Sequence, residues 1–257
     1  MTLQENIPRL LSVVRRPYVW IPLVLVAILV GTIVFRGPIQ SLITNDSPSI
    51  NSATGEPLPP YKGRPLTEIR DNPDAIKLYN KEQLDIIHQK IVDGAGSINV
   101  NPDNLDPWLQ VGLYKHAIGD NEGARDAWAY AGILRPKNIA SFKNLGDLYW
   151  HDLPDFLKSE QNYRRVIEND PTYLGAYVSL SELYRYSYLE KAPLAEQVLF
   201  EALEVAPEEP DLIAYIARFY AETDKRDQAV EYYQKLRVLR PEQASEIDQE
   251  IAKLRRS

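Results

Sequence analysis

Residues 105–136 read LDPWLQVGLYKHAIGDNEGARDAWAYAGILRP, and their closing proline is the first of a series: Pro136, Pro171, Pro207 and Pro241. The intervals are 35, 36 and 34 residues. A period near 34 marks a stack of helix pairs. Aligned on the prolines, the chain shows one design. The first unit carries Trp108, Val111, Gly112, then Ala124, Trp128, Ala131. The second carries Phe142, Leu145, Gly146, Tyr149, then Ser159, Tyr163, Val166. The third carries Tyr177, Leu180, Ser181, Tyr184, then Ala195, Leu199, Ala202. The fourth carries Ile213, Ile216, Ala217, Tyr220, then Ala229, Tyr233, Leu236.

In each unit a large residue opens helix A, an aliphatic residue follows three positions later, and a small residue stands beside it. The small residue lets helix B approach closely. On helix B a small residue, a large one and another small or aliphatic one share a face. The proline ends helix B and turns the chain into the next unit.

Over residues 105–241 this pattern resembles the tetratricopeptide repeat (TPR) family. The resemblance implies an all-α, right-handed superhelix of four helix-turn-helix repeats, at 105–136, 139–171, 174–207 and 210–241, with capping helices. The chain departs from the family at several points. The second unit has one extra residue and the third two, placed in the turns at His151–Pro154 and Tyr188–Pro193. Ser181 and Ala217 replace glycine. Lys115 stands where the family prefers tyrosine, so a thinner outer layer is expected there. Gly119-Asp120-Asn121 reads as the first inter-helix turn. Asp106 before Pro107, and Asn138, read as helix caps.

Outside the repeats, residues 80–93 predict a helix in a lead-in segment, 67–104. Asn80 and Gln83 form a capping box, Leu84, Ile87 and Ile91 share one face, and Gly94 and Gly96 end the helix. Residues 242–257 predict a C-terminal capping helix with an Ile247, Ile251, Leu254 stripe and basic residues in its last turn.

Residues 17–35, PYVWIPLVLVAILVGTIVF, are uncharged and lie between Arg16 and Arg36. As a helix they would span roughly 28 Å, which matches a bilayer core. Arg9, Arg15 and Arg16 precede the stretch. The positive-inside rule therefore predicts an uncleaved signal anchor with residues 1–16 in the cytoplasm and the repeats outside a bacterial-type plasma membrane. Residues 36–66, rich in Pro, Ser and Gly, read as a flexible linker spanning roughly 30 Å.

Composition narrows the function. The net charge of −7 falls on residues 104–257, which disfavours nucleic acid. With no cysteine, thiolate chemistry and cysteine-ligated metals are excluded. Catalytic and nucleotide-binding motifs are missing too, so neither an enzyme nor a cofactor is expected. His116 and His151, with Asp120, Asp152 and Asp155 near them in the chain, are the sole metal-enzyme alternative.

The resemblance implies a partner groove lined by the A helices. By register its candidates are Leu109, Leu113 and His116; Lys143, Asp147 and Trp150; Val178, Glu182 and Arg185; Ala214 and Arg218. The Lys, Asn and Arg clamp that chaperone-binding relatives use for C-terminal carboxylates is missing here, so the expected partner is another protein or peptide. The expected function is that of a membrane-tethered adaptor in envelope assembly or secretion. A cytosol-facing receptor for protein import is the second reading.

Overall fold

The computed structural model describes residues 49–52 and 54–256. The N-terminal tail, the proposed span at 17–35 and the start of the linker lie outside these residues. No helix among the described residues is long and apolar enough to cross a membrane.

The described residues form ten α-helices in series and no strand beyond a single bridge between Ile50 and Pro57. Helix α1 is Lys81–Val100, α2 Leu105–Ala117, α3 Asn121–Leu134, α4 Ile139–His151 and α5 Phe156–Asn169. Helix α6 is Leu174–Tyr186, α7 Ala195–Val205, α8 Pro210–Glu222, α9 Arg226–Leu239 and α10 Ala244–Arg256. Each helix packs on the next, which gives four antiparallel pairs between α1 and α10.

The small residues of the A helices set the pair spacing. A Cβ on Gly112 would collide with the Trp128 indole nitrogen, and one on Gly146 would sit 2.7 Å from the Tyr163 ring. Ser181 is accommodated because its buried hydroxyl donates to the Ala195 carbonyl at 2.9 Å. The first turn needs glycine for another reason, since Gly119 has φ +76°. Asp120 then caps α3. The extra residues of the third unit form a short 3-10 helix, Leu189–Leu194, that contains Pro193.

The structure corrects four expectations. Helix α1 does not stop at residue 93 but runs through Gly94 and Gly96 to Val100. Gly94 is a contact residue: a Cβ there would meet the Val111 side chain at 2.6 Å. The predicted Asn80–Gln83 capping box is present at its start. At α2 the cap is Asn104, whose side chain accepts from the Asp106 N–H, so Asp106 and Pro107 lie within the first turn. Asn138 caps α4.

The third correction concerns the linker. Residues 49–66, Ala53 aside, dock on the first repeat as part of a strap that continues to residue 79. The strap contacts α2 and α3, and further along meets α1 through Asp71. Tyr61 packs on Trp108 and Tyr130, with ring centroids 5.0 and 5.5 Å apart. Leu58 and Leu66 join the same apolar cluster. Tyr130 donates to the Pro59 carbonyl at 2.7 Å. Asp71 meets His88 of α1 at 2.7 Å, and the Asn72 N–H reaches the Ile118 carbonyl at 2.8 Å. Proline and glycine made this stretch look like a linker, but its aromatic and aliphatic side chains have a receiving surface.

The fourth correction is that the layer at Lys115 is filled. Lys115 is only 2% exposed, and its ammonium donates to Asp120 at 3.0 Å and to the Glu68 carbonyl of the strap. Arg64 of the strap reaches the same Asp120 carboxylate.

Candidate partner-binding groove

The eleven groove candidates are all half-buried. They lie on α2, α4, α6 and α8. On α2, Leu109, Leu113 and His116 fall about 130° round the helix from Trp108, Val111 and Lys115, which pack inward and toward the strap.

A row of side-chain bonds runs along this face from repeat to repeat. His116 Nε2 meets Asp152 at 3.0 Å. Trp150 Nε1 donates to the Ser187 hydroxyl at 2.7 Å, and Arg185 donates to Glu222 at 2.9 Å. Each of His116, Trp150 and Arg185 stands eight residues after the lead residue of its helix A. Their partners lie 36 or 37 residues further on. Of these partners, Asp152 was named from sequence only in the metal-enzyme alternative, and Ser187 and Glu222 were not singled out, although the proline register holds their spacing.

Behind this row the charged candidates have partners of their own. Asp147 accepts from Lys143 at 2.6 Å and from the Tyr163 hydroxyl at 2.7 Å. Burial opposes the charge on Lys143, and the Asp147 carboxylate more than offsets it, holding the ammonium above its ordinary value. Glu182 accepts from the Tyr215 hydroxyl at 3.2 Å. Burial raises the Glu182 carboxyl, opposed by that bond and by the charges of Arg218 and Arg185. Arg185 lies over the Tyr186 and Phe219 rings, and Arg218 over Tyr215. Tyr186 is exposed at the lip of this end.

The apolar candidates divide their surface between groove and core. Leu109 and Leu113 pack against the cluster of Ala124, Trp128, Leu145 and Leu148 between the first two repeats. Trp150 meets Tyr163 edge-on and packs on the C-terminal core, so it joins the second and third repeats. Val178 and Ala214 carry the small apolar surface of the other two repeats.

His116 is taken up by Asp152, and His151 stacks on Trp150 at 4.2 Å. Desolvation lowers the His151 imidazole. Among the described residues no group of three or more His, Cys, Asp or Glu side chains is placed to hold a metal ion.

Helix pairs of this spacing, stacked in register with small residues at the pair contacts, define a helical-repeat protein. No family model matches the chain, and no curated protein matches it. Among solved structures, a tetratricopeptide repeat protein from Parabacteroides merdae aligns with 70% of this chain and 69% of its own at 20% identity, with a TM-score of 0.51. MamA aligns with 69% of this chain and 99% of its own at 18% identity and a TM-score of 0.49. A thermophilic TPR protein in Thermus thermophilus covers 70% of this chain and 94% of its own at 16% identity and 0.45. The fold is the TPR fold: the first of these likenesses agrees with the repeat geometry described above.

Proposed function

We propose that the chain is a membrane-tethered scaffold that holds a protein or peptide segment in the groove of α2, α4, α6 and α8. The observation that carries this reading is the row of bonds His116–Asp152, Trp150–Ser187 and Arg185–Glu222. It ties each repeat to the next along one face, so the groove is formed before a partner arrives. A preformed surface avoids part of the ordering cost of binding. Lys143, Asp147 and Arg185 of this face are ion-paired within it, which favours a partner segment of low net charge, with apolar side chains over Leu109, Leu113 and Val178.

The uncharged stretch at 17–35 supports a place at the membrane as an anchor, with residues 36–48 as its tether. With residues 1–16 cytoplasmic and the repeats outside, the scaffold would serve envelope assembly or secretion. Photo-crosslinkers placed at Leu109 and Val178 in native membranes test the groove. The expected result is one recurrent adduct from both positions, and loss of the Leu109 adduct when Val178→Glu is introduced beside it. Adducts unchanged by that substitution would contradict the groove reading. Protease added to spheroplasts should degrade the repeats, and protection would contradict the orientation.

A further inference from the structure

The strap side of the first repeat has the features of a peptide-binding cleft. Its floor is formed by Trp108 of α2 and Tyr130 of α3, whose ring centroids lie 4.3 Å apart. At its deep end Asp120 is 2% exposed, and Asp126 stands nearby on α3. Residues 56–68, EPLPPYKGRPLTE, lie across it as irregular chain with four prolines. Proline-rich segments suit such clefts because they lose little entropy on docking, and aromatic surfaces suit proline.

Each contact reads a distinct feature of this segment. The Tyr130 hydroxyl reads the carbonyl of Pro59 at 2.7 Å. Trp108 and Tyr130 together hold the Tyr61 ring. Gly63 passes so close to α3 that a Cβ would lie 2.7 Å from the Cβ of Asp126. Arg64 gives its N–H to Asp126 at 3.1 Å and its guanidinium to Asp120. Asp120 thus meets the cation of the segment and Asp126 its backbone, while Lys115 and Arg125 of the repeat pair with the same two carboxylates. Arg64 Nη1 also lies 3.9 Å from the Glu68 carboxylate, within the segment itself. Most residues from 56 to 68 keep one side in water.

We infer that this cleft is a second binding site, distinct from the groove, for extended segments of the pattern Pro-Pro-Tyr-x-Gly-Arg, and that residues 56–68 fill it as a displaceable ligand within the chain. A segment of the same chemistry supplied from outside competes for it. The site does not depend on the groove reading.

The test uses the full chain in detergent and a fluorescein-labelled peptide of residues 56–68. A Tyr61→Ala, Arg64→Ala variant weakens the internal ligand and leaves the cleft intact. It should bind the peptide at least tenfold more tightly than the unaltered chain does, and a peptide with alanine for tyrosine should not bind. A variant that keeps its helix content and binds no peptide overturns the inference. So does a variant that loses the helices of the first repeat, because a displaceable ligand is not needed for folding. Hydrogen exchange on the unaltered chain gives an independent reading. The Leu58 N–H, bonded to the Ser49 carbonyl, and the Arg64 N–H should exchange at least tenfold faster than amides within α2 and α3. Equal rates would mean that the segment opens only with the repeat, and would overturn the inference.

Discussion

The first repeat and the last two solve one packing problem by different means. In the third and fourth repeats a buried tyrosine reaches back to a glutamate on helix B of the preceding repeat. The Tyr184 hydroxyl donates to Glu160 at 2.7 Å, and Lys191 pairs with the same carboxylate. The Tyr220 hydroxyl donates to Glu196 at 2.7 Å, and Lys225 pairs with it at 2.5 Å. Both glutamates stand eleven residues before the closing proline of their repeat. Before the first repeat, Pro102 keeps the period, 34 residues ahead of Pro136, and its carbonyl accepts from the Trp108 indole at 2.9 Å. The residue eleven before Pro102 is Ile91, which offers no acceptor and is fully buried against α2. A tyrosine at 115 would have no partner there. Lysine takes its place, and its ammonium goes to Asp120 and to the strap. A change at a signature position of the repeat is thus compensated by chain from outside the repeat.

The comparison predicts a graded set of effects. Lys115→Met should be the most damaging, at about 3 kcal/mol in urea unfolding, because it removes one partner of a buried pair. A cost no larger than that of Tyr184→Phe would erase the distinction between the two ends.

Asp103→Asn should cost about 1.5–2 kcal/mol at pH 7, the low end of the range for hydrogen bonds to a charged group. The Asp103 carboxylate binds Arg135 through two bonds, at 2.9 and 3.0 Å, and accepts from the Ser52 N–H of the strap at 3.0 Å. The Arg135 guanidinium first, and Ser52 second, hold its carboxyl well below the usual range. The folded value is lowered, so this stability is present above about pH 4 and is lost as pH falls through the folded value. The gap between Asp103→Asn and the unaltered protein should close in acid. A gap independent of pH would contradict the assignment.

Tyr184→Phe and Tyr220→Phe should each cost about 1 kcal/mol. Their sites belong to different repeat junctions, so the costs should add. Glu182→Gln should have the smallest effect, between zero and a gain of about 1 kcal/mol at pH 7. Burial raises this carboxyl in the folded state, so its contribution is full below the ordinary carboxylate value and is lost as pH rises through the folded one. The advantage of glutamine should therefore shrink toward pH 4, and a larger advantage in acid would reverse the sign.

Local rules were enough to read the helix pairs. The prolines and the capping asparagines at 80 and 138 act through neighbours in the chain, and the glycine at 112 through Trp128 of its own repeat unit. The strap could not be read in this way, because Tyr61 gains its order from Trp108 and Tyr130, 47 and 69 residues away. Gly94 misled for the same reason: a glycine that ends a helix and one that admits a neighbouring helix look alike until the neighbour is known. Register put His116, Trp150 and Arg185 at matching positions of their helices. Their half-burial and partners depend on the stacking of repeats, which a single unit does not contain.

The most direct test of a first repeat completed by its own strap is a double-mutant cycle between Arg64 and Asp120, using Arg64→Met and Asp120→Asn and reading stability by urea unfolding. A coupling of at least about 1.5 kcal/mol is predicted, as expected for groups within one buried network. Additive costs, with a coupling near zero, would show that the strap does not hold the repeat and would contradict the docked arrangement.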